Sequence, residues 1–149
     1  MQPYRRNVLR GLLALSILST ASHYSHNFVE VDSYPGGGPV IQVLIVLSWP
    51  LLTAIGLYGY RLYVQGRYHD AHMHLLIYSF TGLITPLHFV YGSPDIAPFW
   101  YATIFTDFIA GSAIIAFVAW SASRPAPRRL SPSSPAWSSR GSSPSSWSG

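Results

Sequence analysis

Four apolar runs of about 20 residues, set apart by short polar turns, constrain this chain more than any other feature. They cover Gly11 to Val31, Val40 to Tyr63, Ala71 to Tyr91 and Phe99 to Ser121. A hydrocarbon core roughly 30 Å thick is crossed by about 20 helical residues, so each run is long enough to span a bilayer. Only 9% of the residues are charged, against about 25% in soluble domains, so water is not expected to be the main solvent. The short turns make successive helices antiparallel neighbours. The expected fold is therefore an all-α integral membrane protein, a four-helix up-down bundle.

The charges supply an orientation. All nine basic residues other than histidine are arginine. Arg5, Arg6 and Arg10 precede the first run, Arg61 and Arg67 lie between the second and third, and Arg124, Arg128, Arg129 and Arg140 follow the fourth. The two remaining turns carry none. Basic residues near span ends stay in the cytoplasm, so this bias predicts both termini inside, in a multi-pass protein of the cell membrane. The net charge of +4 then belongs to topology and does not call for nucleic acid. Arg5-Arg6 before an apolar run also suits a signal peptide cleaved near Thr20-Ala21-Ser22, but losing that segment would leave three spans and spoil the arginine pattern. Arginine without lysine, with abundant Ala, Gly and Pro, is the bias of GC-rich coding and points to a bacterial inner membrane. With no cysteine, disulfides and thiolate metal sites are excluded.

Punctuation along the chain fits this layout. Asp32 to Pro39, with Gly36-Gly37-Gly38, and Gly92 to Pro98 read as outer turns. Trp49-Pro50 predicts a kink in the second span, and Asp70 is placed to cap the third. From Ala122 onward the composition turns to Ser, Pro, Arg and Gly, which reads as a disordered tail with too little apolar surface to offset its ordering entropy.

The chemistry-bearing residues gather near the outer side. His23, His26, Asn27 and Glu30 share one face of the first helix by their spacing. Counted back from the outer ends at 1.5 Å per residue, His23 and Asp107 lie roughly 12 Å deep, with His26 and His88 shallower. Ionisable groups at that depth are costly unless they face the bundle interior. The expected site is one cavity lined by His23, His26, Glu30, Gln42, His88 and Asp107, and the competing reading makes the same groups interhelical hydrogen-bond partners only. Histidine with carboxylate also suits zinc or iron, and histidines on spans one and three would suit haem, though no metalloenzyme motif is present; no cofactor is the preferred expectation. A second cluster, His69, Asp70, His72 and His74, sits at headgroup level and reads as a solvated interface.

Read together, these pieces resemble the EXPERA superfamily over residues 15 to 120. His26-Asn27-Phe28-Val29-Glu30 fits the H-x-x-x-E pattern of its isomerase branch. Gln42 with Ser48-Trp49-Pro50-Leu51 resembles the segment in which a catalytic glutamate precedes Trp and Pro. Ile77-Tyr78-Ser79 with Leu83-Ile84-Thr85-Pro86-Leu87 resembles the receptor branch. Pro98-Phe99-Trp100-Tyr101 with Asp107 resembles a run that has Asn near the position of Asp107. The resemblance implies a sterol-like or isoprenoid lipid as ligand. It also implies double-bond isomerisation by proton transfer, with Glu30 or Asp107 as acid and His26 orienting or relaying. His23, Gln42, Trp49, Tyr78, His88, Trp100 and Tyr101 would then bind the ligand, the aromatic rings facing cationic charge. Gln42 departs from the pattern, since an amide cannot donate a proton as an acid does. Either the acid has moved to Asp107 or the chemistry is absent.

The alternatives are a metal or haem protein and a structural subunit of a larger membrane complex. The expected partner is a membrane lipid or sterol-like molecule, with a homodimer left open. Reporter fusions after Ser121 and within residues 65–69 should read as cytoplasmic, and fusions within 34–38 and 93–97 as external. An external signal at the C-terminal end would overturn the four-span topology.

Overall fold

The computed structural model describes residues 3–34, 36–90 and 96–123. Within them the chain is all-helical, with no strand: α1 covers Pro3–Val29, α2 Pro39–Val64, α3 Tyr68–Leu83 and α4 Pro98–Ala122. Two short 3₁₀ turns, Val31–Ser33 and Thr85–Phe89, follow α1 and α3. The helices α2 and α4 are long and apolar enough to cross a membrane. Each helix packs on its neighbours in sequence, and α4 packs back on α1 to close a ring.

Side-chain pairs show that neighbouring helices run antiparallel. On α1 and α4, Arg5 lies over the Trp120 ring and Thr20 bonds Asp107. Between α3 and α4, His72 meets Ser121 while Gly82 meets Gly111. Gly56 of α2 receives the Tyr78 ring, and Gly59 receives His74 and Leu75.

The buried faces of α1 and α4 keep alternating steps of three and four. Leu9, Leu13, Ser16, Thr20 and His23 are sealed on one; Thr103, Asp107, Ala110, Ile114, Phe117 and Ser121 on the other. That spacing holds a single seam toward a partner helix. Its chemistry changes halfway. At the end carrying the described arginines, Leu9, Leu13, Leu62, Leu75, Ile114 and Phe117 form an apolar core. Toward the other end the same seam is lined by Ser16, Ser19, Thr20, His23, His26, Thr103 and Asp107.

The helix ends differ from expectation in three places. α1 starts at Pro3, well before Gly11. α3 starts at Tyr68, so Asp70 is not its N-cap; it sits in the first turn and pairs with Arg67 at 2.6 Å, where its charge also complements the helix dipole. The third apolar run is not one α-helix either, because α3 stops at Leu83 and Pro86, which lacks an amide hydrogen, falls in the 3₁₀ turn. By contrast α2 passes through Pro50 as one helix. It ends on Gly66 at φ 82°, with Arg67 N–H donating to the Leu62 carbonyl and Gly66 N–H to that of Tyr63. That pairing is a Schellman motif, and it needs the left-handed conformation glycine adopts freely. The expected Gly92 to Pro98 turn lies partly outside the described residues, and the expected disordered tail does so from Arg124 onward.

Small residues bring α3 and α4 together. A Cβ placed on Gly82 would stand 2.6 Å from the Asp107 carbonyl oxygen and 3.2 Å from Gly111 Cα. Backbone on both sides leaves no flexible side chain to yield. Gly82→Ala should therefore lower stability by about 1–3 kcal/mol in thermal unfolding of the purified protein. Gly11→Ala, with nothing within 4 Å of the new carbon, should be neutral or stabilising by up to about 1 kcal/mol.

Candidate functional site

Asp107 lies in the polar half of the α1–α4 seam with 1% of its surface exposed. Its Oδ1 accepts a hydrogen bond from Thr20 Oγ1 at 2.7 Å. Its Oδ2 is sealed and has no hydrogen-bond partner. Tyr78 of α3, also 1% exposed, stands in electrostatic range of this carboxyl. The Tyr78 hydroxyl lies near those of Ser16 and Thr20 but completes no hydrogen bond of ordinary geometry with either. Three helices thus place four oxygen-bearing side chains in the interior, and two of them have unmet bonding capacity.

Toward the far end a second polar group closes the bundle. His26, fully buried, stacks on Trp100 with ring centroids 5.1 Å apart and planes 11° off parallel. The Tyr34 hydroxyl lies 2.9 Å from His26 Nε2, and Thr103 Oγ1 stands 3.5 Å from Nδ1. Thr103 spends its own hydrogen on the Trp100 carbonyl, so toward His26 its oxygen is an acceptor. Nδ1 then carries a hydrogen toward Thr103, and Nε2 shares a hydrogen bond with the Tyr34 hydroxyl. Burial first, then the Glu30 and Tyr101 charges, pushes the Tyr34 phenol from 10.0 up to about 12. His23 sits one turn deeper, 5.9 Å from His26 ring to ring, with Asn27 Nδ2 donating to its Nε2 at 3.2 Å. Ser19 adds a bond to Thr106 at 3.1 Å.

A groove of about 510 Å³ runs between α1 and α2. Tyr24, Phe28 and Trp49 supply ring faces, and Ala21, Val29, Ile45 and Val46 complete the apolar lining with Ser25. Tyr24 is in electrostatic range of Asp107, whereas Asp107 does not line the groove.

The expected single cavity is therefore divided. His23, His26 and Asp107 are brought together along the α1–α4 seam. Glu30 turns to the adjoining 3₁₀ turn, where Ser33 donates to its Oε2 at 3.1 Å. Gln42 donates to the Phe28 carbonyl at 3.3 Å on an exposed edge. The backbone of His88 is in the second 3₁₀ turn, and its side chain lies outside the described residues. Tyr101 stacks on Phe89; Trp100 serves His26, Trp49 the groove and Tyr78 the Asp107 cluster. Among the described residues no group of three or more His, Asp or Glu is placed to hold a metal ion. Of the second cluster, Asp70 pairs with exposed Arg67, His74 bonds the Asp70 carbonyl, and half-buried His72 bonds Ser121 at 2.7 Å.

Sequence reasoning missed Thr20, Ser16, Thr103 and Tyr34. The first two were legible, since Ser16, Thr20 and His23 share one seam spacing. Tyr34 was not, because it reaches His26 by a fold of the turn that no helical period encodes.

Fold and site define an all-helical protein with a polar half-core and an apolar groove on its side. Comparison with protein-family models, curated proteins and solved structures finds no match to this chain.

Tyr34→Phe removes the hydroxyl that bonds buried His26 and should cost about 1–3 kcal/mol in thermal unfolding. The raised Tyr34 phenol means that folding favours the protonated form. Its contribution is complete below pH 10 and is lost as pH climbs through about 12. The alkaline limb of a stability–pH curve should flatten in the Phe variant.

Proposed function

We propose that this is a four-span membrane protein of the bacterial inner membrane, with both termini in the cytoplasm, that binds a sterol-like or isoprenoid lipid in the groove between α1 and α2. The observation that carries the reading is the groove's size and lining. About 510 Å³ falls within the roughly 300–1,000 Å³ of ordinary small-molecule sites. Two large ring faces, Tyr24 and Trp49, suit a flat polycyclic or unsaturated ligand entering sideways.

The surface supports the membrane setting. Leu15 and Leu18 of α1, Leu47 and Leu51 of α2, Phe80 of α3 and Ile109 of α4 are all exposed, while hydroxyls, histidines and a carboxyl fill half the interior. In water such a distribution would expose apolar patches on every helix. In lipid it is the favourable arrangement, with polar groups bonding helix to helix. The α2 window that is apolar enough to cross a membrane is only 6% buried, leaving α2 largely free to face lipid. The described arginines, Arg5, Arg6, Arg10, Arg61 and Arg67, gather at one end of the bundle, which supports that end as the cytoplasmic one.

The resemblance to EXPERA proteins supports the same ligand class. Binding is favoured over isomerisation because Glu30, His26 and Asp107 each bond elsewhere and none lines the groove.

Lipid mass spectrometry on detergent-purified protein tests the proposal. A stoichiometric polycyclic or isoprenoid lipid is expected with the wild type. Ala21→Trp, which fills the groove, should abolish retention, and Trp49→Ala should weaken it roughly tenfold or more. Lipid content equal to that of an unrelated membrane protein, or unchanged in both variants, would overturn the reading.

A further inference from the structure

We propose that the polar half-core binds a monovalent alkali cation, held by the Asp107 carboxylate with the hydroxyl oxygens of Ser16, Thr20 and Tyr78. The site is separate from the lipid groove and does not depend on it. All four side chains are at least 98% buried and come from α1, α3 and α4. Asp107 Oδ2 and the Tyr78 hydroxyl are sealed without hydrogen-bond partners, within electrostatic range of each other. An uncompensated buried carboxylate costs several kcal/mol, so something must balance it.

The described side chains do not. Arg5, Arg6, Arg10, Arg61 and Arg67 belong to the opposite end of the bundle. His23 and His26 are engaged at Nε2 with Asn27 and Tyr34. Neither ring bonds Asp107 Oδ2.

Three occupants remain to be compared. A proton on Oδ2 cancels the charge but finds no acceptor there and leaves the Tyr78 hydroxyl unmatched. Water bonds both groups and leaves the charge. A cation does both, because each hydroxyl can give its hydrogen one way and a lone pair to the ion; Thr20 already gives its hydrogen to Oδ1. An all-oxygen set is chosen by hard cations. With one carboxylate, a monovalent ion leaves the core neutral, whereas a divalent ion would leave a buried positive charge.

The test is thermal unfolding of the detergent-purified full chain against NaCl and KCl, with choline chloride at equal ionic strength. The midpoint should rise by roughly 3–6 °C between about 1 and 100 mM NaCl or KCl and stay flat in choline. Asp107→Asn should lose the response. Ser16→Ala, a small change on one helix, should need about tenfold more cation for the same rise. An equal rise in choline, or a full response in Asp107→Asn, would overturn the site. Should that variant not fold, Ser16→Ala with an unchanged cation midpoint would overturn it instead. Lipid retention is read separately, so failure of the cation site and failure of the lipid reading are distinguishable.

Discussion

The hydrogen bond from Thr20 to Asp107 is the contact on which the polar half of this bundle depends. It joins residues 87 apart in sequence and fixes the register of α1 against α4 at the point where the seam changes from leucine and isoleucine to hydroxyl and imidazole. A polar seam is specific as well as adhesive. Each donor must find its acceptor, so a slip of one turn would strand Asp107, Ser19 and His26 together. The leucines at the other end would tolerate the same slip far better.

Two consequences follow for the neighbouring helices. Asp107 faces α1 while its backbone lies directly against α3, and Gly82 and Gly111 permit that approach by having no side chain. The same economy appears on α2, where Gly56 makes room for the Tyr78 ring and so allows the Tyr78 hydroxyl to reach the centre. Glycine in this bundle sets distances between helices, and those distances decide which oxygens meet.

Closure of the far end is the work of aromatic groups. Trp100 stacks on His26, and Tyr34 returns from the turn to bond it, so the histidine is shielded on both a ring face and a ring edge. The groove between α1 and α2 stays on the outside of this arrangement. It shares Tyr24 with the electrostatic neighbourhood of Asp107, and the proposed lipid and the proposed cation would therefore sit on adjacent faces of one helix.

The sequence by itself determined the helical class, the lengths of α2 and α4, and the presence of histidines and a carboxyl at one depth. Those properties are periodic or compositional, and a helix's rise and turn convert spacing directly into position. His23, His26 and Asp107 do lie along one buried seam, where face and depth are both countable. The sequence misjudged Glu30 and Gln42 as members of that cavity, since depth alone does not say toward which neighbour a side chain turns. Only the tertiary structure decided that Glu30 answers Ser33, that Tyr34 reaches His26, and that Thr20 bonds Asp107 while Tyr78 lies in its electrostatic range. The physical reason is that hydrogen bonds between helices depend on ångström-scale separation and rotation. Those are set by glycine contacts and turn geometry summed over the whole bundle.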